Sequence, residues 1–289
     1  MNDLPRPPDL ASPIGAAYAK DGYYFPYDVT SEAEAAQLLA DLEAAEAQVA
    51  DDRSRLSMVR SFPAQLLPSF AALVRHPRII EAVSQIIGPD VMMWGSGLFI
   101  KEASSKSFVS WHQDLNYWGL DGDQEVTAWF ALTPSNLENG CMRFIAGSHT
   151  LNVVPHVDSF AKDNLLTRGQ EIAVEVDEAK AVDVVLRPGQ VSLHHGHLFH
   201  ASGPNATPER RVGVAIRYVA PSMKQVSGDK LLVQLVSGKD DYGHFSVAPP
   251  PAGRLREEDF ERVRRNVEIK RGILYEGVKP EQVRQTPKA

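Results

Sequence analysis

From Val91 onward the sequence contains repeated short runs of β-branched and aromatic residues, each bounded by glycine, proline, asparagine or aspartate. Runs of this length between turn residues are typical of strands in a β-sandwich or barrel. The runs are VMMWGSGLFIK, VTAWFAL, CMRFIAG, QVSLHHGHLFH and RRVGVAIRYV. We therefore predict a mainly β protein with flanking helices and a jelly-roll core, whose two sheets can leave a pocket between them.

Helical segments flank this β region. Ser31, followed three residues later by Glu34, forms a capping-box signature at the start of TSEAEAAQLLADLEAAEAQVA. A second helix is predicted over RIIEAVSQIIG, ending at Gly88, and the segment LREEDFERVRRNVEIKRGILYEG near the C-terminus is also helical in character. We expect one catalytic domain over residues 1–289, composed of a loose arm (1–13), a mainly helical part (14–90), the β core (91–250) and a C-terminal helix and tail (251–289).

Composition excludes several classes of partner. The net charge of −7 and the pI near 5.7 argue against a nucleic-acid partner, which requires a basic surface. No apolar run approaches the roughly 18 residues of a membrane span, and the opening MNDLPRPPDL lacks the features of a signal peptide. The single cysteine, Cys141, cannot form an internal disulfide. We expect a cytoplasmic protein that acts on small molecules.

A candidate metal site begins with the segment SWHQDLNYWGL. If it is a strand, His112 and Asp114 point to the same face, because side chains alternate along a strand. A third ligand can come from LHHGHLFHASGPN, which contains four histidines. Two histidines and one carboxylate are the ligand set of non-haem Fe(II) oxygenases. The His-x-Asp pattern alone also occurs by chance at polar turns and strand edges.

Spacing alone does not select one of the four histidines. On a continuous strand, His194 and His200 would share a face, whereas His195 and His197 would point the other way. A β-bulge between them would change this assignment. His194 and His200 therefore both remain candidates at this point.

Taken in order, the segments WHQDLNYWGL, VTAWFAL, NGCMRFIAGSH, RPGQVSLHHGHLFHASGPN and RRVGVAIRY resemble the phytanoyl-CoA dioxygenase family of Fe(II)- and 2-oxoglutarate-dependent oxygenases. The resemblance covers roughly residues 17–218. It implies a double-stranded β-helix, or cupin-like, fold and the use of Fe(II), 2-oxoglutarate and O2. It also implies a reaction in which 2-oxoglutarate is decarboxylated to succinate while a substrate C–H bond is hydroxylated.

The resemblance also implies roles for individual residues. The histidine that precedes the Ala-Ser-Gly turn is the distal metal ligand in the family, which is His200 here, so His112, Asp114 and His200 would bind the metal and be catalytic. His194, His195 and His197 are then expected to make hydrogen bonds or line the site.

The same resemblance implies a binding site for 2-oxoglutarate. The family has an arginine eleven residues after the distal histidine, Arg211 here, which would bind the far carboxylate of 2-oxoglutarate. Alternation places Arg210 on the opposite face of the strand. Ser202 and Trp129 resemble positions that contact this co-substrate, although a Ser-Gly turn and a core tryptophan are the plainer interpretations.

Substrate residues are predicted less directly. Asn116 and Trp118 would continue the face of the metal ligands, and Arg217 would continue the face of Arg211. These side chains suit a small polar or anionic substrate: an amino acid, a phosphonate, a natural-product intermediate or an acyl-CoA. Relatives that halogenate lack the carboxylate ligand, so Asp114 favours hydroxylation.

Two other classes of protein remain open from the sequence. A cupin-like metalloenzyme of non-oxygenase type would not need Arg211. A non-catalytic protein that binds a metal or a small molecule would be expected to have lost a ligand.

Overall fold

A computed structural model describes residues 9–226 and 229–274. Helices lie before the β region and at its C-terminal end. In the described residues they are α1 (Pro13–Asp21), α2 (Glu32–Gln48), α3 (Arg53–Ser61), α4 (Pro63–Leu66), α5 (Pro68–Leu73), α6 (Pro77–Ile87) and α7 (Glu257–Leu274). The strands are β1 (Tyr23–Asp28), β2 (Val91–Lys101), β3 (Val109–His112), β4 (Glu125–Ala131), β5 (Met142–Ile145), β6 (His156–Asp158), β7 (Gln170–Ile172), β8 (Ala181–Val184), β9 (Gln190–His194), β10 (His200–Ser202), β11 (Arg211–Val219), β12 (Leu232–Ser237) and β13 (Ser246–Val247).

Two sheets form the core of the fold. The large sheet has the order β1-β9-β4-β11-β2-β12-β13, and the small sheet has the order β3-β10-β5-β8; β6 and β7 form a separate pair. All pairings are antiparallel except that of β12 with β13. Neighbours in the large sheet come from distant parts of the chain, which is typical of a jelly roll.

The helices pack against the outer face of the large sheet. Side chains that alternate along β11, Val212, Val214 and Ile216, are fully buried in one apolar cluster with residues of α2 to α6. The inner faces of both sheets form a second, smaller cluster, which includes Trp129 and Phe144. The pocket described below lies between these inner faces.

Local sequence explains most helix boundaries. In α2 the Ser31 side chain accepts a hydrogen bond from the Glu34 amide, and the Glu34 carboxylate accepts one from the Ser31 amide, so the predicted capping box is confirmed. Proline occupies the first position of α4, α5 and α6, where its missing N–H costs nothing. These prolines divide residues 63–87 into short helices, of which only α6 was predicted.

Several predicted strands are confirmed, and one is wrong. VMMWGSGLFIK coincides with β2, VTAWFAL overlaps β4 with a shift of one residue, and CMRFIAG and RRVGVAIRYV contain β5 and β11. The run QVSLHHGHLFH, however, is not one strand: β9 ends at His194, the chain turns, and β10 begins at His200 in the other sheet. Gly196 allows this turn, because a Cβ there would lie 2.6 Å from the Leu115 side chain.

The two ends of the chain are described only in part. Of the predicted loose arm, residues 1–8 lie outside the described residues, and α1 already begins at Pro13. The predicted C-terminal helix corresponds to α7, while residues 275–289 of the predicted tail lie outside the described range. None of the described helices is both long and apolar enough to cross a lipid bilayer.

Candidate active site

Three candidate metal ligands meet on the inner face of the small sheet. His112 is the last residue of β3 and His200 the first of β10, and the two are paired across these strands. Asp114 follows β3 at the start of a short 3₁₀ helix, Leu115–Tyr117. The potential ligand atoms of the three residues lie within 4.8 Å of one another, so they could bind one ion.

Backbone contacts orient both imidazoles toward that point. Nδ1 of His112 is 2.9 Å from the Ser110 carbonyl oxygen and 3.0 Å from that of His200. Nδ1 of His200 is 2.9 Å from the Leu198 carbonyl oxygen. With Nδ1 donating to a carbonyl, Nε2 carries the free lone pair that a metal requires. Burial lowers the pKa of His200 well below its usual value, which keeps the ring neutral.

Asp114 is held as a carboxylate. Burial raises its pKa, but the neighbouring His112 side chain and the charge of Arg217 outweigh burial, and the pKa lies below its usual range. Oδ1 of Asp114 is 3.5 Å from Nε2 of His112, and Oδ2 is 4.0 Å from Nε of Arg217. Two deprotonated imidazole nitrogens and one carboxylate therefore face the same space.

The other three histidines of the cluster lie elsewhere. His194, at the end of β9, is buried with its ring centroid 5.0 Å from that of His200, and burial lowers its pKa to about 4. It lines the pocket without belonging to the group of close ligand atoms. His195 and His197 lie in the turn between the sheets and form a separate group with Asp123. Strand alternation alone could not distinguish His194 from His200. The break after His194 does so, because it places the two residues in different sheets.

Two buried basic side chains, Arg211 and Lys101, lie side by side, and Arg211 lines the same pocket as the candidate ligands. Arg211 is 2% exposed and its guanidinium stacks 5.1 Å from the centre of the Trp129 ring. Lys101, its partner in the pairing of β2 with β11, is fully buried. Lys101 donates hydrogen bonds to Ser202 Oγ at 2.7 Å, to the Gly140 carbonyl at 3.0 Å and to the Gly203 carbonyl. Sequence analysis missed Lys101, since its proximity to Arg211 depends on the register of β2 with β11.

These cations fit a dicarboxylate. Within the described residues their hydrogen-bond partners are neutral: Arg211 donates to the Gly140 carbonyl, and its Nε is buried without a partner. Burial lowers the pKa of Arg211 to about 10, and burial together with Arg211 lowers that of Lys101 to about 6. Gly213 leaves room for Trp129, because a Cβ there would lie 1.9 Å from the indole ring. A ligand carboxylate would supply the missing negative charge.

Arg210 lies on the opposite face of β11, as alternation predicts. Its guanidinium contacts three carboxylates, with Nη1 2.9 Å from Glu46 Oε2 and 3.8 Å from Glu43, and Nε 3.4 Å from Glu102. Arg210 is therefore a surface ion-pair residue.

The three predicted substrate residues lie in three different environments. Arg217 lines the pocket beside Asp114. Trp118 is buried behind it, stacked on Trp94 with ring centroids 5.0 Å apart. Asn116 is exposed and lines a different, more open groove with His156. The reason is that β3 ends at His112, so residues 114–118 follow a helical turn and no longer alternate.

The candidate ligands and Arg211 line one pocket between the sheets, of about 420 Å³ including space open to solvent, and Lys101 contacts its lining residue Ser202. A family model described as phytanoyl-CoA dioxygenase (PhyH) matches residues 18–213. The chain belongs to the phytanoyl-CoA dioxygenase family.

Similar proteins agree with this family assignment. The ectoine dioxygenase of Streptomyces avermitilis is 30% identical over 236 residues, covering 72% of this chain and 80% of that protein. A probable alpha-ketoglutarate-dependent hypophosphite dioxygenase of Stutzerimonas stutzeri is 28% identical over 152 residues, so the chain spans about half of its length (52%). The apo structure of the non-haem monooxygenase ThoJ is 34% identical with a TM-score of 0.83, covering 91% of this chain and 98% of that one.

Membership of the phytanoyl-CoA dioxygenase family confirms three predictions. The fold is the predicted double-stranded β-helix with flanking helices. The enzyme class is that of non-haem iron oxygenases dependent on 2-oxoglutarate, and the cofactors are Fe(II), 2-oxoglutarate and O2. A cupin-like metalloenzyme of another type and a non-catalytic binding protein are therefore disfavoured.

Proposed function

We propose that the protein hydroxylates an aliphatic C–H bond of a small polar or anionic substrate. The observation that carries this proposal is the presence of two matching sites in one pocket. His112, Asp114 and His200 offer three ligand atoms within 4.8 Å of one another, and Arg211 offers a buried guanidinium without a carboxylate partner, with the Lys101 amine beside it. A reaction that couples Fe(II) to 2-oxoglutarate requires both.

Each residue has a role in this proposal. His112, Asp114 and His200 would hold Fe(II), which when bound supplies the oxidative decarboxylation of 2-oxoglutarate and the oxidation of the C–H bond. Arg211 and Lys101 would bind the far carboxylate of 2-oxoglutarate. Further contacts to this co-substrate would come from Ser202, which accepts from Lys101, and from Trp129, over which Arg211 stacks. The enclosed pocket would exclude water from the reacting centre.

Asp114 supports hydroxylation over halogenation. A halide bound to the iron needs the coordination position that this carboxylate would occupy. The neighbouring His112 side chain and the charge of Arg217 keep Asp114 ionised and available as a ligand. We therefore expect an alcohol as the product even at high chloride concentration.

The pocket also suits a small substrate. Its space of about 420 Å³, which includes space open to solvent, would take 2-oxoglutarate together with a small molecule. The names of the relatives include ectoine and hypophosphite, both small and polar. An amino acid, a phosphonate or a natural-product intermediate fits this description better than an acyl-CoA, since the sequence shows no basic patch for CoA phosphates. A cytoplasmic location and the lack of a nucleic-acid partner stay predictions from composition.

The proposal is tested by incubating the protein with Fe(II), 2-oxoglutarate, O2 and candidate small molecules while succinate is measured. Substrate-dependent succinate and a product heavier by one oxygen atom are expected, and Asp114→Ala should abolish both, because two imidazoles alone hold the iron poorly. Arg210→Ala, on the outer face, is the matched control. A chlorinated product from the unmodified protein in high chloride would contradict the role given to Asp114.

A further inference from the structure

The pocket face of β11 carries a cation at each end. Arg211 lies at the first position of the strand and Arg217 six residues later, so their Cα atoms are about 20 Å apart along an extended strand. Both line the pocket that contains the candidate iron ligands. Arg211 would be used by 2-oxoglutarate, whereas Arg217 is the one beside Asp114, with 4.0 Å between Nε and Oδ2. The second cation therefore lies at the other end of the pocket from the 2-oxoglutarate anchor.

A lysine from the C-terminal helix joins Arg217. The Lys270 ammonium lies over Gly95, where a Cβ would be 2.7 Å from Nζ. Gly95 is the partner of Arg217 in the pairing of β2 with β11. Paired residues on antiparallel strands point to the same face with about 5 Å between their β-carbon positions. Lys270 and Arg217 are therefore neighbours at this end of the two strands, although they come from distant parts of the chain.

Two tryptophans support the cation pair. Trp94 and Trp118 are stacked with an interplanar angle of 22°. Lys270 Nζ lies 4.7 Å from the centre of a Trp94 ring, and the Arg217 guanidinium lies 5.6 Å from that of Trp118. Both tryptophans are 5% exposed. Rings that are fixed in this way hold the two cations at a defined position.

The pair has no counter-ion of its own. Among residues 9–226 and 229–274, no carboxylate forms an ion pair with Lys270, and the charge that acts on it is the like charge of Arg217. Asp114, the carboxylate nearest Arg217, would be a ligand of the iron. Burial raises the pKa of Glu125 well above its usual value, which favours the neutral form of this nearby carboxyl. Burial and Arg217 lower the pKa of Lys270 to about 7, as expected for a buried amine beside a like charge and without a bound anion.

A count of the charges in the complete site also leaves Arg217 and Lys270 without a counter-ion. The three negative charges of Asp114 and of the two carboxylates of 2-oxoglutarate are already fewer than the four positive charges of Fe(II), Arg211 and a protonated Lys101. The charges of Arg217 and Lys270 remain. Next to Arg217 in the sheet, Thr127 and its own partner His194 have Oγ1 and Nδ1 buried without hydrogen-bond partners. A polar, negatively charged molecule would satisfy all of these groups.

We propose that Arg217 and Lys270 bind an oxyanion group of the substrate, a carboxylate or a tetrahedral phosphonate-type group, and so place its C–H bond beside the iron. This inference rests on the proposed function and names the chemical class of its substrate. Lys270 is a substrate-binding residue contributed by α7, outside the β core.

The test measures binding without turnover. Protein loaded anaerobically with Fe(II) and 2-oxoglutarate shows a visible charge-transfer absorption that responds to molecules bound beside the iron. It is titrated with propionate, methylphosphonate and propionamide at millimolar concentrations. We expect at least one anion to shift the absorption and neutral propionamide to bind about tenfold more weakly or worse. Propionate against methylphosphonate distinguishes a planar from a tetrahedral group.

Variants assign the effect to the proposed residues. Lys270→Met should weaken anion binding about tenfold and leave the affinity for 2-oxoglutarate unchanged, and Lys270→Arg should retain anion binding. Arg265→Met, which removes an exposed charge from the same helix, is the matched control. If the charge-transfer absorption forms and neither anion perturbs it, or if Lys270→Met binds anions as wild type does, the inference is wrong. If the absorption never forms, the proposed function fails instead.

Discussion

Lys101 should make the binding of 2-oxoglutarate depend on pH. Burial and the neighbouring Arg211 lower the pKa of Lys101 to about 6, so without the co-substrate its amine is largely neutral at pH 8. A carboxylate bound beside it favours the ammonium form. Binding above pH 6 therefore takes up a proton, and the affinity falls as the pH rises. Arg211, whose pKa is lowered only to about 10, stays charged over this range.

The size of the effect follows from the pKa. If the complex requires a fully protonated Lys101, the free protein is about half protonated at pH 6 and about 1% protonated at pH 8, which raises the Kd for 2-oxoglutarate up to about 50-fold. In Lys101→Met this contribution disappears, because no amine titrates. The variant should bind 2-oxoglutarate more weakly than wild type at pH 6 and approach it at pH 8.

The assay is an anaerobic titration of the Fe(II)-loaded protein with 2-oxoglutarate, followed by the charge-transfer absorption at pH 6, 7 and 8 and constant ionic strength. Protonation of the histidine ligands at low pH affects both proteins alike, so the ratio of the two Kd values isolates Lys101. The same pH dependence in wild type and Lys101→Met would refute the reasoning, because the titrating group would then lie elsewhere.

Three further substitutions test the remaining parts of the site. His200→Ala should lose the Fe(II)–2-oxoglutarate absorption, while His197→Ala, which removes a histidine outside the group of close ligands, should retain it. Arg211→Ala should raise the apparent KM for 2-oxoglutarate by a factor corresponding to about 2–5 kcal/mol, and equal losses in Arg210→Ala would contradict the observed strand register. Gly213→Ala should lower both Tm and 2-oxoglutarate affinity, because the new Cβ would overlap the neighbouring indole ring; an unchanged Tm and affinity would show that the ring can move at little cost.

The sequence predicted the strands best where they lie in the centre of the large sheet. The run VMMWGSGLFIK is bounded by turn residues, and β2 has the same limits, Val91–Lys101. Prediction was weakest for short edge elements such as β6 and β13, since two or three residues carry too little pattern to be recognised. The break in QVSLHHGHLFH was signalled by Gly196, because an isolated glycine within a strand pattern often marks a turn or a bulge.

Residues of the site also differ in how well the sequence predicted them. His112 and Asp114 are close in sequence, so their proximity follows from local spacing, and His200 follows from the family motif. Lys101 and Lys270 were missed because each approaches its arginine neighbour through a tertiary contact: the register of β2 with β11 in one case, and the packing of α7 over Gly95 in the other. A lysine within an apolar strand is the signal that could have found Lys101, since such a residue is rarely buried without a functional partner.

Strand β11 shows how the fold separates stability from chemistry. Its outward residues, Val212, Val214 and Ile216, are fully buried against the helices, while its inward residues include Arg211 and Arg217. A slip of one residue in register would place both arginines in the apolar cluster and three aliphatic side chains in the pocket. Burial of the outer face, which stabilises the fold, therefore also fixes the positions of Arg211 and Arg217 in the pocket. Since this register depends on packing far from the candidate metal ligands, the positions of both proposed anchors, for 2-oxoglutarate and for the substrate, are set by the hydrophobic core.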